Sequence, residues 1–550
     1  MQIKIENDAS KSAAMVMVVG VHLNEALPKL LQEVFGNAAS ALDLASIAAA
    51  ARGDGFKGKI NQVFTFPTLG ALPCKRILLY GLGAEAELKT VGYSGYRKIG
   101  ANIAKRLAAV RRATATESNA DKGASKGKSL ATAGTTVGAR SKALSACFYL
   151  RPRKGKATKA PVGAAIASNE QIVEAIVEAF IMASFSFEKY KSMKEAGKKA
   201  RLENIAELSD INLYFVNCDK AAFEKAVNKA IAVGRAVNMS RELIAEPPAF
   251  MTPSRLAVEA RRIAKDHDLS VKIFDEVQIA KLAMGSFLGV ARGAKEPPRF
   301  IVLKYTAPKA KKTVAIVGKG VTFDSGGLSL KTAGGMEHMK YDMSGAAIVL
   351  GVMDVIGKLK PKVSVLCVVP ATENMPGSAA LHPGDVLIAM NGKTIEVNNT
   401  DAEGRLILAD ALTYACQQGA DELIDIATLT GAVVSALGRA AAGIMGNNQD
   451  LIDNLKAAGL PSGEKYWQLP MFDEYKEALK SDVADLKNAG SRGEAGSSCA
   501  AMFLQEFVEE KPWAHMDIAG VAWTERERDE LNKGGTAFGI RTLCSYLLSH

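Results

Sequence analysis

Apolar residues along this chain fall into two patterns: short continuous runs, and longer stretches with an apolar residue every three or four positions. Thr313–Val317 and Val363–Val369 are continuous runs, which predict buried strands. Leu256–His267, Gly345–Leu359 and Arg405–Gln417 show helical spacing. Because alternating strands and helices are typical of a sheet covered by helices, we expect the C-terminal half to be an α/β domain.

The beginning of the chain shows the same alternation, with strands predicted at Met15–His22 and Ile60–Phe66. The chain has 550 residues, and a single hydrophobic core stops growing at roughly 250–300 residues. Helical spacing over Ala221–Ala245 predicts a long connecting helix. We therefore predict two α/β domains, each a mixed sheet flanked by helices and joined by a long helix. The predicted segments are an N-terminal domain at 1–217, a linker helix at 218–240 and a C-terminal catalytic domain at 241–550.

A basic stretch of low complexity, predicted as an insertion at about 117–161, interrupts the first domain. Between Asp121 and Ala160 it has ten Lys or Arg residues and one acidic residue, and the whole chain carries a formal net charge of +11. One interpretation is a solvated insertion, because the segment has too few apolar residues to form a core. The other is a contact with DNA, because basic segments gain affinity by releasing counterions from phosphate.

The rest of the composition is that of a globular protein with 48% hydrophobic and 23% charged residues. Apolar runs do not approach the ~18 residues that predict a membrane span, and the segment Met1–Glu6 does not have the layout of a signal peptide. The seven cysteines are scattered without a CxxC pair. We therefore expect a cytoplasmic protein with reduced thiols.

Two polar clusters in the second half hold the candidate chemistry. The first follows the strand Thr313–Val317 and reads GKGVTFDSGG, then continues to Lys331 and MKYDM; the second reads NTDAEGRL and follows a hairpin predicted at Asn391–Gly392. Such loops at strand ends are where open α/β sheets bind ligands. The candidate residues in these clusters are four carboxylates, two lysines (Lys319 and Lys331) and one arginine.

These carboxylates indicate a site for two divalent metal ions. Two like charges ~4 Å apart repel by roughly 4 kcal/mol at an effective dielectric near 20, so a close cluster needs cations. Oxygen ligands suit Mg²⁺ or Mn²⁺, and carboxylates also bind Zn²⁺. Paired metal ions can polarise a carbonyl and activate water, which favours a hydrolase.

The motifs also resemble the leucyl (cytosol) aminopeptidase family, whose members are two-metal enzymes. The resemblance covers residues 235–550 and includes NTDAEGRL, GKGVTFDSGG, MKYDM, DIATLTGA and WAHMDIAG. It implies removal of an N-terminal residue, preferably leucine or another apolar residue, from peptides. The sequence differs from the family pattern at Ala245 and Ala249, where the family has asparagines on either side of Glu246-Pro247-Pro248.

Carried over residue by residue, the resemblance assigns roles to members of both clusters. It implies a bicarbonate at the arginine, a homohexamer and, from some bacterial relatives, a secondary role in DNA binding. The implied metal ligands are Lys319, Asp324, Asp342, Asp401 and Glu403. The implied catalytic residues are Lys331 and Arg405. The implied substrate-binding residues are Met339, Asn399, Thr428, Leu429 and Gly431, with Gly520–Ala522 beside them.

Other interpretations of the same residues stay open at this point. A two-metal phosphoesterase would use the same ions, but a lysine ligand and the full NTDAEGRL motif argue against it. Gly318-Lys319-Gly320 could indicate a phosphate loop, but it lacks the Walker spacing. A DNA-binding or architectural protein with an incidental active site is a third interpretation. His515, in an apolar segment, is predicted to be a packed core histidine.

Overall fold

The computed structural model describes residues 2–5, 14–84, 95–107, 145–150, 168–192, 212–491 and 493–550. The chain divides into two compact units: Met1–Gly234 with Arg528–Asn532, and Arg235–Glu527 with Lys533–His550. The division falls inside the helix Lys220–Ala245, which includes most of the predicted linker segment. Among the described residues, helices with enough length and apolar character to cross a membrane are absent.

The first unit is built on a six-stranded sheet in the order β1-β6-β5-β2-β4-β3, with β3 antiparallel to β4 and the other neighbours parallel. Val16 and Val18 of β2 belong to one core cluster, and Met17 and Val19 belong to a second. Both faces of the sheet are therefore buried. Its strands are β1 Ile3–Ile5, β2 Val16–His22, β3 Val63–Pro67, β4 Arg76–Gly83, β5 Ser145–Tyr149 and β6 Asn212–Val216. Its helices are α1 Leu27–Phe35, α2 Leu44–Gly53, α3 at residues 95–107 and α4 Asn169–Ala183.

Strand β5 corrects the predicted extent of the insertion at 117–161. It lies in the middle of the sheet between β2 and β6, and Ala146, Cys147 and Phe148 are fully buried. The short apolar run from Ala146 to Leu150 supplies a strand that the basic residues on either side obscured. Residues 117–144 and 151–161, with most of the basic charge, lie outside the described residues.

The second unit has a nine-stranded mixed sheet in the order β16-β15-β18-β14-β9-β11-β8-β7, with β10 also paired to β11. Its strands are β7 Ser270–Phe274, β8 Arg299–Tyr305, β9 Thr313–Gly318, β10 Gly320–Asp324, β11 Ser364–Asn374, β14 Glu422–Ala427, β15 Ala442–Gly446, β16 Tyr466–Gln468 and β18 Trp513–Asp517. Smaller sheets contain β12 Val386–Ile388, β13 Thr394–Glu396, β17 Leu486–Lys487, β19 Trp523–Thr524 and β20 Gly534–Gly535.

Helices cover both faces of this sheet, as predicted, so the α/β class is confirmed. The long helix α5 Lys220–Ala245 leads into this unit. The others are α6 Pro253–His267, α7 Glu276–Lys281, α8 Gly285–Ala291, α9 Ala333–Met336, α10 Ser344–Leu359, α11 Glu403–Gln417, α12 Gly431–Leu437, α13 Gln449–Gly459, α14 Glu474–Glu477, α15 Gly496–Gln505 and α16 Ile540–Leu548. Both α10 and α11 pack against β9.

Neighbouring parallel strands bring the polar clusters to one edge of the sheet. Strand β14 lies between β9 and β18 and is parallel to both, so the carboxyl ends of the three strands lie side by side. Gly345 at the start of α10 allows a very close approach, because a Cβ there would lie 2.2 Å from the carbonyl oxygen of Ile426 in β14. The helix that follows Asp342 can therefore begin directly against the strand ends.

Asp410 anchors helix α11, which begins at Glu403. Its Oδ2 accepts a hydrogen bond from the backbone N–H of Phe287 (2.8 Å), and its Oδ1 accepts one from the backbone N–H of Met390 (2.7 Å). Burial raises the pKa of Asp410 to about 7, although these backbone N–H groups oppose the shift. The residue thus ties α11 to α8 and to the segment after β12.

This anchor predicts a pH dependence of stability. The pKa of Asp410 rises from 3.8 to about 7 in the folded chain, so the stabilisation from its bound proton is lost as pH rises through the folded-state pKa. Relative to Asp410→Asn, the free energy of unfolding of the wild type should fall by roughly 2–3 kcal/mol between pH 5 and pH 8. Urea unfolding of both proteins in a chelator checks this, and parallel pH profiles would contradict it.

Candidate metal centre and active site

Lys319 lies at the centre of one half of the polar site. It follows β9, and its Nζ is 2.8 Å from Asp342 Oδ2 and 2.8 Å from Glu403 Oε1, while it donates a hydrogen bond to the carbonyl oxygen of Thr428 (3.0 Å). Lys319, Asp342 and Glu403 are all buried. Residues from β9, from the turn before α10 and from the start of α11 therefore meet at one ammonium group.

Lys331 joins the other half of the site. Its Nζ is 2.8 Å from Asp324 Oδ2 and also contacts Asp401 Oδ1. Asp324 is the last residue of β10, and Asp401 lies just before α11. Asp401 is the most exposed of the four acidic residues, with 33% of its side chain accessible, so the site opens to solvent on this side.

The two halves form one cluster with the properties of a cation site. Asp324, Asp401 and Glu403 each offer a carboxylate oxygen, and these oxygens all lie within 4.8 Å of one another. Asp342 Oδ2 and Glu403 Oε1 are buried, and each lies 2.8 Å from the ammonium group of Lys319. Buried carboxylates are costly unless positive charge compensates them. The donor set thus fits divalent metal ions.

The pKa values of the cluster show how strongly these groups affect one another. Burial raises the pKa of Asp324 to about 6, and the Glu403 carboxylate adds to the shift. Burial also raises the pKa of Asp342 well above its usual range and, more modestly, that of Asp401. Burial would raise the pKa of Glu403 too, but Lys319 and Lys331 outweigh it, and the pKa is lowered.

Burial and the neighbouring carboxylates act in opposite directions on the pKa values of the two lysines. Burial disfavours the charged form of Lys319 and Lys331, but the adjacent carboxylates outweigh burial and raise the pKa of both ammonium groups. Both lysines are therefore charged at neutral pH in the metal-free protein. They act as the internal counterions of the carboxylates.

Arg405 is buried in the first turn of α11, two residues after Glu403. Its Nη1 donates a hydrogen bond to the carbonyl oxygen of Asn488 (2.8 Å), and its buried Nε donates none to any described residue. Burial lowers the pKa of Arg405 to about 10, so the guanidinium is still charged at neutral pH. A buried guanidinium with a free N–H group can bind a planar anion.

Two of the substrate-binding residues predicted from the sequence contact the cluster or its supporting turn. Thr428 Oγ1 donates a hydrogen bond to Asp342 Oδ1 (2.7 Å), and Asn399 Oδ1 accepts one from the backbone N–H of Asp401 (2.9 Å).

The other three predicted residues lie close by in the chain. Met339 is half-buried and begins the short 3₁₀ helix Met339–Tyr341 just before Asp342. Leu429 follows Thr428, and its backbone N–H donates to Asp517 Oδ1 (3.2 Å). Gly431 is the first residue of α12.

Three buried polar residues near the site had no role predicted from the sequence. Asn374 Nδ2 donates to Asp324 Oδ1, and Asn488 Oδ1 accepts from the backbone N–H groups of Asn398 and Asn399. Asp517 Oδ2 accepts from Thr430 Oγ1 (2.6 Å). Asn374 and Asp517 end strands, and strand ends carry ligand-binding residues in such sheets. That position is a signal which could have identified both.

His515 lies behind the site rather than in it. It is fully buried in β18, and its Nδ1 is 2.6 Å from Asp425 Oδ1, while Trp513 Nε1 donates to Asp425 Oδ2 (2.7 Å). The prediction that His515 is a core residue agrees with this burial.

Comparison with known proteins identifies the family. The model of the cytosol aminopeptidase family, catalytic domain, matches residues 238–544, and the model of the N-terminal domain of the same family matches residues 18–140. A probable cytosol aminopeptidase of Alkaliphilus oremlandii is 40% identical over 495 residues, which are 89% of this chain and 88% of the relative. One from Gloeobacter violaceus is 46% identical over 385 residues, covering 69% and 76%.

Solved structures show the same relationship in three dimensions. A mutant of tomato leucine aminopeptidase has a TM-score of 0.77 and 32% identity, covering 100% of this chain and 97% of its own. The bottromycin maturation enzyme BotP in complex with Mn has a TM-score of 0.77 and 28% identity, covering 98% and 99%. Both family models match, and the region matched by the catalytic-domain model contains the buried acidic cluster. This chain therefore belongs to the cytosol aminopeptidase family, the metal-dependent aminopeptidases, and is a peptidase.

Proposed function

We propose that this enzyme removes the N-terminal residue from peptides, preferably leucine or another apolar residue, and that it uses two divalent cations. The convergence of four carboxylates around two buried or half-buried lysines is the observation that carries the proposal. The cations would be held by Lys319, Asp324, Asp342, Asp401 and Glu403. When bound, they would polarise the scissile carbonyl and lower the pKa of the attacking water.

The ligand chemistry and one relative support the choice of metal. Carboxylate oxygens with one amine suit Mn²⁺ or Zn²⁺, and Mg²⁺ less well because of the nitrogen. The structure of BotP, a similar protein, was determined with Mn. Lys319 can bind a cation only as a neutral amine, so its ammonium group, which contacts Asp342 and Glu403, would have to lose one proton.

Lys331 is proposed to act directly on the substrate. Its ammonium group lies beside Asp324 and Asp401, and 16% of its side chain is exposed, so it can reach a bound peptide from the open side of the cluster. A fixed positive charge there would stabilise the negative charge that develops on the carbonyl oxygen during attack. Neighbouring carboxylates keep it protonated through the reaction.

Arg405 is proposed to bind a bicarbonate ion that carries the proton from the attacking water. A guanidinium is not itself a base, because it stays protonated. A planar anion can accept two parallel hydrogen bonds from it, and the buried Nε has its N–H available. Its position two residues after Glu403, at the start of α11, also places the anion near the positive end of the helix.

The first side chain of the peptide is proposed to bind beside Met339, Thr428, Leu429 and Gly431. These residues come from the turn before Asp342 and from the loop after β14, so they surround the cluster on one side. Met339 and Leu429 make this side apolar, which favours leucine. Asn399, held next to Asp401, would bind the peptide backbone.

Chelation and a ligand substitution test the metal site. We expect Glu403→Ala and metal removal each to lower kcat/KM on leucine p-nitroanilide by at least ~100-fold, with activity of the wild type restored by Mn²⁺ or Zn²⁺. Lys331→Ala should lower kcat by roughly 10²–10³-fold. Glu337→Ala, an exposed carboxylate in the loop between Lys331 and Asp342, is the matched control. Full activity after chelation would rule out the metal mechanism, and hydrolysis of a phosphate ester instead would favour the phosphoesterase interpretation.

Substitution of Met339 tests the specificity pocket. Met339→Trp should reduce kcat/KM on a leucine substrate about ten-fold more than on an alanine substrate, because the larger ring fills space that the longer side chain needs. Steady-state kinetics on both p-nitroanilides measure the difference. An equal loss on the two substrates would count against the pocket assignment.

A homohexamer and a cytoplasmic location follow from family membership as further proposals. DNA binding by the basic segment is a second candidate role, supported by the ten Lys or Arg residues between Asp121 and Ala160.

Deletion of residues 121–140, which leaves β5 intact, tests the DNA role. We expect it to weaken duplex binding and to reduce its salt dependence, because fewer counterions are released. Titrations at two salt concentrations measure both quantities, and unchanged affinity would exclude the segment.

A further inference from the structure

Asn374, the last residue of β11, contacts both polar clusters. We infer that Asn374 is a positioning residue for metal binding, which holds Asp324 and the turn at Thr400–Asp401 in the arrangement that receives the cations. This inference rests on the proposed function. It assigns a role to a side chain outside the predicted ligand set.

Both hydrogens of the Asn374 amide are used. Nδ2 donates to Asp324 Oδ1 (2.8 Å) and to the carbonyl oxygen of Thr400 (3.0 Å). Asp324 lies 50 residues before Asn374 in the chain and Thr400 lies 26 residues after it. One side chain therefore connects the two acidic clusters, which approach each other only in the folded protein.

The hydrogen bond to Asp324 fixes the orientation of that carboxylate. Oδ1 also accepts from the backbone N–H of Gly326 (2.9 Å), so two donors hold this oxygen. Oδ2 is thereby directed toward Lys331, at 2.8 Å. Rotation of the carboxylate would break both hydrogen bonds to Oδ1, and bonds to a charged acceptor are among the stronger ones.

Asn374 is itself rigidly held. The residue is 4% exposed. Its backbone carbonyl oxygen accepts hydrogen bonds from the backbone N–H of Ser325 (3.0 Å) and from Ser325 Oγ (2.7 Å). A Cβ at Gly327 would lie 2.9 Å from Asn374 Oδ1 and 3.0 Å from Thr400 Oγ1, so the loop packs tightly around the amide. A positioning group must be locked in this way in order to fix another side chain.

The position also offers an apolar replacement of similar shape and a matched control. Asn374→Leu removes both donors but keeps most of the volume, and Asn374→Ala removes them with a smaller side chain. Thr372→Val changes a fully buried residue two positions earlier in β11. The Thr372 hydroxyl donates to the carbonyl oxygen of Glu373, and the Thr372 backbone carbonyl, which the substitution keeps, accepts from Thr322 Oγ1. The control tests for a general effect of altering this strand.

The experiment is a Mn²⁺ titration of the chelator-treated full-length protein. Titration calorimetry measures the Mn²⁺ affinity, and the Mn²⁺-induced shift in melting temperature measures it independently. We expect Asn374→Leu and Asn374→Ala to bind Mn²⁺ about 10–100-fold more weakly than the wild type, as is usual when a partner of a metal ligand is removed. Thr372→Val should bind Mn²⁺ like the wild type. At saturating Mn²⁺, KM for the peptide should be unchanged in the Asn374 variants, because the substrate pocket is intact.

The outcomes separate this inference from the proposed function. Wild-type Mn²⁺ affinity in both Asn374 variants would overturn the positioning role alone. Absence of Mn²⁺ binding by the wild type would overturn the proposed function instead. If Asn374→Leu fails to fold, the Mn²⁺-induced melting shift of Asn374→Ala decides, and a shift equal to that of the wild type contradicts the inference.

Discussion

The active region depends on charge compensation among buried carboxylates. Asp324, Asp342 and the Asp401–Glu403 pair come from three separate places in the chain, and two lysines lie between them. Without positive charge at these positions, mutual repulsion and the loss of hydration would separate the acids. Strand order, the glycine-rich turns and the start of α11 all serve to bring these charges together at one edge of the sheet.

The sheet explains why such distant segments can meet. β9 and β14 are adjacent and parallel, so Lys319 and Thr428 leave the sheet side by side. β10 and β11 pair in the next position, with Asp324 opposite Asn374. The direction of Asp324 thus depends on strand register, since a slip of one residue would turn its side chain to the other face of the sheet.

Much of this arrangement could be predicted from the sequence. Continuous apolar runs predicted β9 nearly to the residue and the first half of β11, because both faces of these strands are buried and leave an unbroken pattern. The hairpin of β12 and β13 followed from Asn391-Gly392, where Gly392 has a positive φ of 87°. The proposed metal-binding and catalytic residues could be recognised from the sequence because their seven charged side chains are concentrated in two polar clusters.

Other features were hidden for physical reasons. β18 contains His515 and Asp517, whose polar character interrupts the apolar pattern. Both are buried in the core, where His515 Nδ1 contacts Asp425 and Asp517 accepts a hydrogen bond from Thr430. β5 was concealed by the basic residues that surround it in the sequence. Asn374 carries no charge, so only its partners in space reveal it. In each case the structure or role of the residue depends on contacts with residues distant in the sequence, which a local sequence pattern does not reveal.

The pair of protonated lysines has a consequence for how the enzyme matures. Since the free chain already contains its own counterions, folding does not have to wait for a metal supply, and a newly made molecule can keep its acidic residues assembled in a metal-poor cell. Metal binding at the proposed site would then require Lys319 to lose a proton, because only the neutral amine can serve as a ligand. Maturation would thus release acid and respond to the availability of trace elements long after synthesis is complete.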